Sequence, residues 1–313
     1  MKTICIVLLA AFALSFVLCL IAIPLLKKLK AGQYILGYVK EHKNKGGTPT
    51  MGGLAFVCAA VASSLIFCGT GDGAVNLTLV ITSGYALVGF LDDFLKIYRK
   101  DNLGLKPYQK IIFQCSIAAI AAIYCYKNNL TQINIPFTDI KLNISYGIIP
   151  VVIFVFLATV NCVNLTDGLD GLAGGTSAAY LVFIGIILYM QGVSFYVLPF
   201  AMAGALAAFL VFNTNKASVF MGDTGSLALG SFISCVSVFS SDTLYIPIIG
   251  IVFVISGISV ILQVIYYKRT RRRIFLMAPF HHHLQMKGFA ESKIAYAYFA
   301  VTSLLGIVCI IFV

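Results

Sequence analysis

The chain has 313 residues, of which 60% are hydrophobic and only 11% are charged, and its formal net charge is +11. Soluble globular domains carry about 25% charged residues, so the composition excludes that class and predicts an integral membrane protein. One bilayer crossing takes roughly 20 apolar residues, which leaves room for about ten transmembrane helices joined by short loops. The predicted fold is an all-α bundle that forms a single polytopic domain over residues 1–313.

Apolar runs predict where these helices lie. The ten predicted spans are near residues 3–26, 50–69, 76–91, 111–126, 146–162, 172–190, 196–212, 225–240, 244–267 and 294–313. The first run continues into KKLK without a small-residue cleavage motif, so we expect it to be retained as a span. The nine cysteines lie almost entirely inside apolar runs without a CxxC pair, which indicates buried small side chains.

Positive charge is concentrated in alternate loops. If the spans alternate, one side holds every Lys and Arg of the chain except Lys2, Lys127 and Lys141. The loops on the basic side are 27–49, 92–110, 163–171, 213–224 and 268–293. The positive-inside rule places these loops in the cytoplasm and both termini on the outer side of the membrane. The excess charge also suits anionic lipid, and with so few loop residues nucleic-acid binding is not expected.

Five of the eleven acidic residues lie in three polar segments at the ends of apolar runs. They are Asp92 and Asp93 in GFLDDFLK, Asp167 and Asp170 in NLTDGLDG, and Asp223 in FMGDTGS. All three segments fall on the predicted cytoplasmic side. Carboxylates at a bilayer boundary need water, a cation or a buried partner, and carboxylate oxygens are the ligands that Mg²⁺ prefers. A metal and phosphate site is therefore predicted there.

Each acidic segment has its own expected geometry. Asp92 and Asp93 repel each other, so one of them gains affinity for a proton unless a cation or Lys96 neutralises the pair. If Asp167 begins the sixth helix, it shares one face with Asp170, and the free N–H groups there would suit a phosphate or nucleotide. Asp223 is expected at the start of the eighth helix. Simple helix capping remains an alternative for the last two residues.

Two further segments are unusually polar. APFHHHLQMKG holds three of the four histidines, and three consecutive residues on a helix point about 100° apart, so they cannot all bind one metal. Imidazoles near a diphosphate can donate hydrogen bonds or transfer protons. KGGTPTMGG predicts a tight glycine-rich loop in which Lys45 could approach phosphate, although turn formation alone would explain most of the pattern. Phe220 could stack on a base or pack into the bundle.

Together, GGTPTMGG, GFLDDFLK, NLTDGLDGLAGG, VFMGDTGSLALG and APFHHHLQMKG, in this order between residues 46 and 288, closely resemble the phospho-N-acetylmuramoyl-pentapeptide transferases of bacterial cell-wall synthesis. They are similar more broadly to the polyprenyl-phosphate N-acetylhexosamine-1-phosphate transferases. The resemblance implies ten helices in the bacterial plasma membrane and a Mg²⁺ cofactor. It also implies transfer of phospho-MurNAc-pentapeptide from UDP-MurNAc-pentapeptide to undecaprenyl phosphate, which gives lipid I and UMP.

By motif position, the resemblance also implies residue roles. The catalytic residues would be Asp92, Asp93, Asp223 and His281, with Asp223 and Asp92 as metal ligands. The substrate-binding residues would be Lys45, Asp167, Asp170, Asn213, Phe220, His282 and His283. This chain departs from the family in one place, because the family commonly has an acidic residue just after the third histidine and here Gln285 stands near it. Glu291, in the next turn, is a candidate substitute.

Three other functions compete with this interpretation. A sister transferase would use UDP-GlcNAc on the same lipid carrier. A lipid scramblase or solute transporter would also need polar residues in a bundle, but transporters place ionisable groups near the bilayer midplane. A non-enzymatic scaffold would leave the clustered carboxylates and histidines unexplained. The sequence leaves the oligomeric state open, a homodimer included.

Overall fold

The computed structural model describes residues 1–29, 47–99, 103–214 and 216–313, and most of these residues are helical. The helices are α1 (Lys2–Lys28), α2 (Gly53–Cys68), α3 (Gly73–Arg99), α4 (Pro107–Lys127), α5 (Ile148–Thr166), α6 (Leu172–Met190), α7 (Val197–Asn213), α8 (Gly222–Phe239), α9 (Tyr245–Ile249), α10 (Ile251–Thr270), α11 (Phe280–Met286) and α12 (Glu291–Ile311). A short antiparallel hairpin, β1 (Gln132–Asn134) and β2 (Lys141–Asn143), joins α4 to α5.

The prediction of an all-α membrane protein is confirmed. Among the residues that the structure describes, eight helices are long and apolar enough to cross a membrane: α1, α3, α4, α5, α6, α8, α10 and α12. The helices α2 and α7 are apolar but have only 16 and 17 residues. At about 1.5 Å per residue these two are close to the minimum length for a crossing, and length alone does not establish ten spans.

The structure corrects several predicted boundaries. The span predicted at 244–267 is divided at Gly250 into α9 and α10, and the loop predicted after it contains α11. Helix α3 continues beyond residue 91 to Arg99, because a helix need not end where its apolar run ends. Lys96 and Arg99 in its last turn also favour the negative end of the helix dipole.

Helix α8 lies at the centre of the bundle. Sixteen of its 18 residues are buried, and it packs against both α3 and α5. The packing depends on small residues: a Cβ atom at Gly89 of α3 would collide with the backbone of Asp223 and Thr224, and one at Gly53 of α2 would collide with Gly225. Close backbone contact through small residues is a common means of helix association in membranes. The first turn of α8 is thereby held between α2 and α3.

We expect Gly89→Ala to lower the free energy of unfolding by about 1–3 kcal/mol, since the added methyl group would force α8 away from α3. The measurement is thermal unfolding of the purified protein in detergent. Gly84→Ala on the same helix is the matched control, because its Cβ would make only an ordinary contact, at 3.4 Å, with Ile117. Equal unfolding temperatures for the two variants would contradict this account of the α3–α8 contact.

The two ends of α8 lie in different surroundings. At its C-terminal end, Asn134 of the hairpin donates its backbone N–H to the oxygen of Ser241 at 2.9 Å, and its side-chain amide donates to buried Asp242 at 3.0 Å. The N-terminal end of α8 meets the C-terminal end of α3, which carries Asp92 and Asp93. The hairpin and the carboxylates therefore lie at opposite ends of the bundle.

Candidate active site

Three carboxylates from two distant segments meet at the N-terminal end of α8. Asp92 and Asp93 are near the end of α3, and Asp223 is in the first turn of α8. One oxygen from each lies within 4.8 Å of the others, and Asp92 and Asp93 are buried. Such a concentration of negative charge requires cations to neutralise it.

Two lysines provide positive charge to this cluster. The Nζ atom of Lys96 lies 2.6 Å from Oδ2 of Asp92 and 2.9 Å from Oδ2 of Asp223. The Nζ atom of Lys110, from α4, lies 2.6 Å from the same Asp223 oxygen. Lys96 was expected to neutralise the Asp92–Asp93 pair, but its Nζ atom is 3.9 Å from Oδ1 of Asp93, so Lys96 chiefly joins Asp92 and Asp223.

Asp92 and Asp93 have different surroundings although they are adjacent. Asp93 accepts hydrogen bonds from the N–H and hydroxyl groups of Thr224, at 2.9 and 2.7 Å, and from the N–H of Asp223 at 3.2 Å. It thus satisfies the exposed N–H groups that begin α8. Asp92 accepts one hydrogen bond from the N–H of Leu105, at 2.8 Å, and turns its second oxygen toward Lys96.

The C-terminal end of α5 forms another side of the site. The side-chain amide of Asn164 donates to Oδ1 of Asp223 and to the hydroxyl of Ser226, both at 2.7 Å. Helix α5 ends at Thr166, two residues beyond Asn164. The chain therefore passes directly from α5, which contacts Asp223, into the DGLDG turn.

Asp167 does not begin the sixth helix, whose bounds agree with the predicted span 172–190. Asp167 is the C-cap of α5, and α6 begins only at Leu172, after Gly171 with a φ of 72°. A left-handed residue interrupts a helix, so the turn separates the two helices. Burial, together with the carboxylates of Asp223, Asp93 and Asp170, raises the pKa of Asp167 well above its usual value. Asp167 therefore holds a proton more readily than an ordinary aspartate, or requires a cation.

Hydrogen bonds connect this turn to the loop before α8. Asp170 accepts from the N–H of Ala217 at 3.1 Å. Asn213 accepts from the N–H of Gly171 at 3.1 Å and donates to the carbonyl oxygen of Val219 at 2.9 Å. Both residues hold the α5–α6 turn against the 216–221 loop.

The glycine-rich loop before α2 pairs with the same 216–221 loop. The N–H of Phe220 donates to the carbonyl oxygen of Pro49 at 2.8 Å, and the N–H of Gly52 donates back to Phe220 at 2.9 Å. The Phe220 ring is half-buried beside this backbone pairing. Lys45 lies outside the described residues, so its predicted contact with phosphate stays a prediction.

The three histidines are on the short helix α11, and they point in two directions. The rings of His281 and His282 are 4.4 Å apart, and a Cβ atom at Gly168, in the α5–α6 turn, would contact Nε2 of both. His283 instead accepts a hydrogen bond from the N–H of Leu276 at 3.1 Å and packs its ring between Phe275 and Phe280. Its predicted contact with substrate is not part of this arrangement and stays a prediction.

Comparison with known proteins identifies the family. A family model described as glycosyl transferase family 4 matches residues 75–241, the segment that contains all three carboxylates. The phospho-N-acetylmuramoyl-pentapeptide-transferase of Clostridium perfringens strain 13 is 45% identical over 294 residues, which cover 93% of each chain. The chain belongs to the phospho-N-acetylmuramoyl-pentapeptide-transferase family.

Two more distant members support the same assignment. The transferase of Caldanaerobacter subterraneus subsp. tengcongensis is 41% identical over 298 residues, which cover 93% of this chain and 94% of the relative. That of Clostridioides difficile strain 630 is 41% identical over 311 residues, which cover 97% and 95%. As a member of this family the chain is a membrane-embedded sugar-1-phosphate transferase of peptidoglycan biosynthesis, and the resemblance found in the sequence is confirmed.

The residues of this transferase fit a divalent cation. Asp92 and Asp223 present carboxylate oxygens to one point, which is the donor chemistry that Mg²⁺ prefers. The ammonium group of Lys96 lies at that point, within 2.9 Å of an oxygen from each. A positive charge is thus already accommodated between the two carboxylates. Asp93 contributes less, because its oxygens accept hydrogen bonds from the start of α8.

Two residues of this site were not predicted from the sequence. Lys110 was counted only as a loop cation, and Asn164 was not singled out, yet both contact Asp223 directly. The available signal for Asn164 was its position near the end of α5, three residues before Asp167 and therefore on the same side of the helix. Lys110 offered no local signal, because only the packing of α4 brings it to α8.

His281 is expected to make stability depend on pH. It is fully buried and, among the described residues, its ring nitrogens have no hydrogen-bond partner; burial and the neighbouring His282 lower its pKa to about 3. Between pH 6.5 and 3 the unfolded chain therefore binds a proton that the folded chain does not, so stability falls as the pH falls. The expected slope is about 1.4 kcal/mol per pH unit.

The measurement is thermal unfolding in detergent between pH 7.5 and 4.5, for the native protein and for His281→Phe. The variant should lose less stability on acidification than the native protein. Parallel stability curves for the two proteins would contradict the burial of a neutral His281. His283→Phe is the matched control, because His283 is only half-buried on the same helix.

Proposed function

We propose that this enzyme transfers phospho-MurNAc-pentapeptide from UDP-MurNAc-pentapeptide to undecaprenyl phosphate, with Mg²⁺ as cofactor, and produces lipid I and UMP. The observation that carries the proposal is the meeting of Asp92, Asp93 and Asp223 with two lysines at one end of the bundle. Both substrates are phosphate esters or anhydrides, and catalysis of phosphoryl transfer relies mainly on cations and positioning. The names of the relatives support the identity of the sugar-peptide substrate.

Asp223 and Asp92 would hold the metal ion. When bound, Mg²⁺ would neutralise charge on the diphosphate and on the leaving UMP. Lys96 and Lys110 would then be displaced from part of their present contacts, which would leave their ammonium groups available for phosphate oxygens. Asn164 would keep Asp223 oriented through the 2.7 Å hydrogen bond to its other oxygen.

Asp92 and Asp93 would have different roles. Asp93 would position α8, and hence Asp223, through its three hydrogen bonds to the first turn of that helix. Asp92 would face the reacting phosphates, because its second oxygen is directed toward the lysines and Asp223. The lipid phosphate is largely ionised near neutral pH, so we favour its direct attack on the sugar-linked phosphorus over a covalent enzyme intermediate.

The nucleotide side of the site would be the α5–α6 turn and the loops joined to it. Asp167 and Asp170 are in that turn, Asn213, His281 and His282 lie against it, and Phe220 is in the 216–221 loop joined to it. Lys45 and His283 remain candidates for binding the same substrate, although Lys45 lies outside the described residues and His283 packs between two phenylalanines. The turn is held by hydrogen bonds from two directions, so its backbone groups are fixed before a substrate arrives.

The site would face the cytoplasm. At the end of the bundle that holds the carboxylates, the described residues include many cations: Lys27, Lys28, Lys96, Arg99, Lys106, Lys110, Lys216, Lys268, Arg269, Arg271, Arg272, Arg273, Lys287 and Lys293. The hairpin end has Lys2, Lys127 and Lys141. This asymmetry supports a cytoplasmic site in the bacterial plasma membrane with both termini outside.

The direct test is release of UMP by the purified enzyme in detergent. We expect release from UDP-MurNAc-pentapeptide only when undecaprenyl phosphate and Mg²⁺ are both present. UDP-GlcNAc in place of the first substrate should give no UMP, and faster release from it would identify the sister transferase activity instead. Radiolabelled phospho-MurNAc-pentapeptide retained on the denatured protein without lipid acceptor would overturn direct attack.

A further inference from the structure

Gln285 lies between a histidine of α11 and an acidic residue of α12. Its side chain is buried, with 8% exposure. Its oxygen Oε1 is 3.1 Å from Nδ1 of His282, and its Nε2 donates to Oε1 of Glu291 at 3.1 Å. Here the departure from the family pattern at Gln285 coincides with a continuous chain of hydrogen bonds.

The direction of this chain follows from the donor capacity of each group. A carboxylate only accepts hydrogen bonds, so the amide of Gln285 must direct its NH₂ group to Glu291 and its oxygen to His282. An amide oxygen also only accepts, so Nδ1 of His282 must carry a proton. Glu291 is the first residue of α12, where the exposed N–H groups and the helix dipole attract a hydrogen-bond acceptor.

A neutral imidazole protonated on Nδ1 has its lone pair on Nε2. That nitrogen faces the α5–α6 turn: a Cβ atom at Gly168 would lie 3.0 Å from Nε2 of His282. We propose that Gln285 is a positioning residue, which holds His282 as the Nδ1–H tautomer and so presents Nε2 to the α5–α6 turn as a hydrogen-bond acceptor or proton acceptor.

The amide performs this task without adding charge. A carboxylate at position 285 would also accept from Nδ1–H, but it would favour the imidazolium form, in which Nε2 can no longer accept a proton. The other titratable groups around the ring are His281 on the same helix, Glu291 on α12 and Asp167 beside Gly168. Substitution at 285 changes none of these three residues, and Gln285→Leu removes only the hydrogen bonds that Gln285 makes with His282 and Glu291.

The test uses NMR of the full-length protein in detergent with ¹⁵N-labelled histidine. The chain has four histidines, and the signals of His282 are identified by their loss in His282→Gln. At pH 8 we expect Nδ1 to be protonated and Nε2 to be unprotonated. In Gln285→Leu the Nε2–H tautomer should become the major form. An Nε2–H tautomer in the native protein, or an unchanged tautomer in Gln285→Leu, would overturn the proposal.

Gln285→Glu supplies a second variant of nearly identical shape. The pH at which His282 gains its second proton should rise by at least about one unit. No change in that titration would also overturn the proposal. Gln132→Leu is the control, because Gln132 is exposed on the hairpin at the opposite end and its loss should leave the His282 signals unchanged.

A kinetic consequence rests on the proposed function. In Gln285→Leu we expect kcat for UMP release to fall about five- to tenfold, as the loss of one hydrogen bond would produce. In Gln285→Glu the acidic limb of the kcat profile should move to higher pH. If the NMR results are as expected but the native enzyme forms no UMP, the proposed function fails and the tautomer assignment stands. If the native enzyme forms UMP but the NMR results are not as expected, only the role of Gln285 is overturned.

Discussion

Asp223→Asn is expected to lower the rate of UMP release by at least about 1,000-fold. The substitution removes the charge that pairs with Lys96 and Lys110 and that would bind the metal, and loss of a metal or charge-stabilising group at this type of site has effects of that size. The variant should still fold, because the asparagine oxygen can accept the hydrogen bond from Asn164. Turnover is measured across a Mg²⁺ titration.

The control for this prediction is Asp139→Asn. Asp139 is exposed in the turn between β1 and β2, so its substitution removes the same charge from the opposite end of the molecule. That variant should transfer at the native rate. Near-normal turnover of Asp223→Asn at limiting Mg²⁺ would show that Asp223 does not bind the metal, even if the overall reaction is the proposed one.

Asp93→Ala is expected to lower the free energy of unfolding by about 3–5 kcal/mol. The change leaves the N–H of Asp223 and both donors of Thr224 without their acceptor in a buried contact between α3 and α8. Activity should be lost as well, since Asp223 is placed by the same helix turn. The measurement is thermal unfolding in detergent with activity measured in parallel.

Asp92→Asn is the matched comparison for Asp93→Ala. It keeps an oxygen for the N–H of Leu105, so its unfolding temperature should be close to native while transfer is lost. A stable Asp93→Ala protein would refute the anchoring role of Asp93. A strongly destabilised Asp92→Asn protein would show that both carboxylates serve the fold.

Parts of the site could be recognised from sequence because they depend on residue type alone. Five aspartates at the edges of apolar runs indicated a cation and phosphate site, since a carboxylate there must have a polar partner. The consecutive histidines could not all bind one metal from a helix, since neighbouring helix positions diverge by about 100°. In the structure His283 packs between two phenylalanines while His281 and His282 face Gly168.

Other parts could not be recognised, for specific reasons. Asp167 was considered as a possible start of the sixth helix, because aspartate favours that position and the residue lies between two apolar runs. Its actual place is the end of α5. The contact of Lys110 with Asp223 joins residues 113 positions apart, and no local pattern encodes such a contact.

By itself, the sequence determined the membrane class, the family and the residue types of the site. These follow from composition, apolar runs and motifs, which are local properties of the chain. Only the tertiary structure decided how the carboxylates differ: Asp93 is bound by the first turn of α8, and Asp92 faces the lysines. The two side chains are neighbours in sequence, so the difference arises from the close glycine contact between α3 and α8, which only the folded bundle contains.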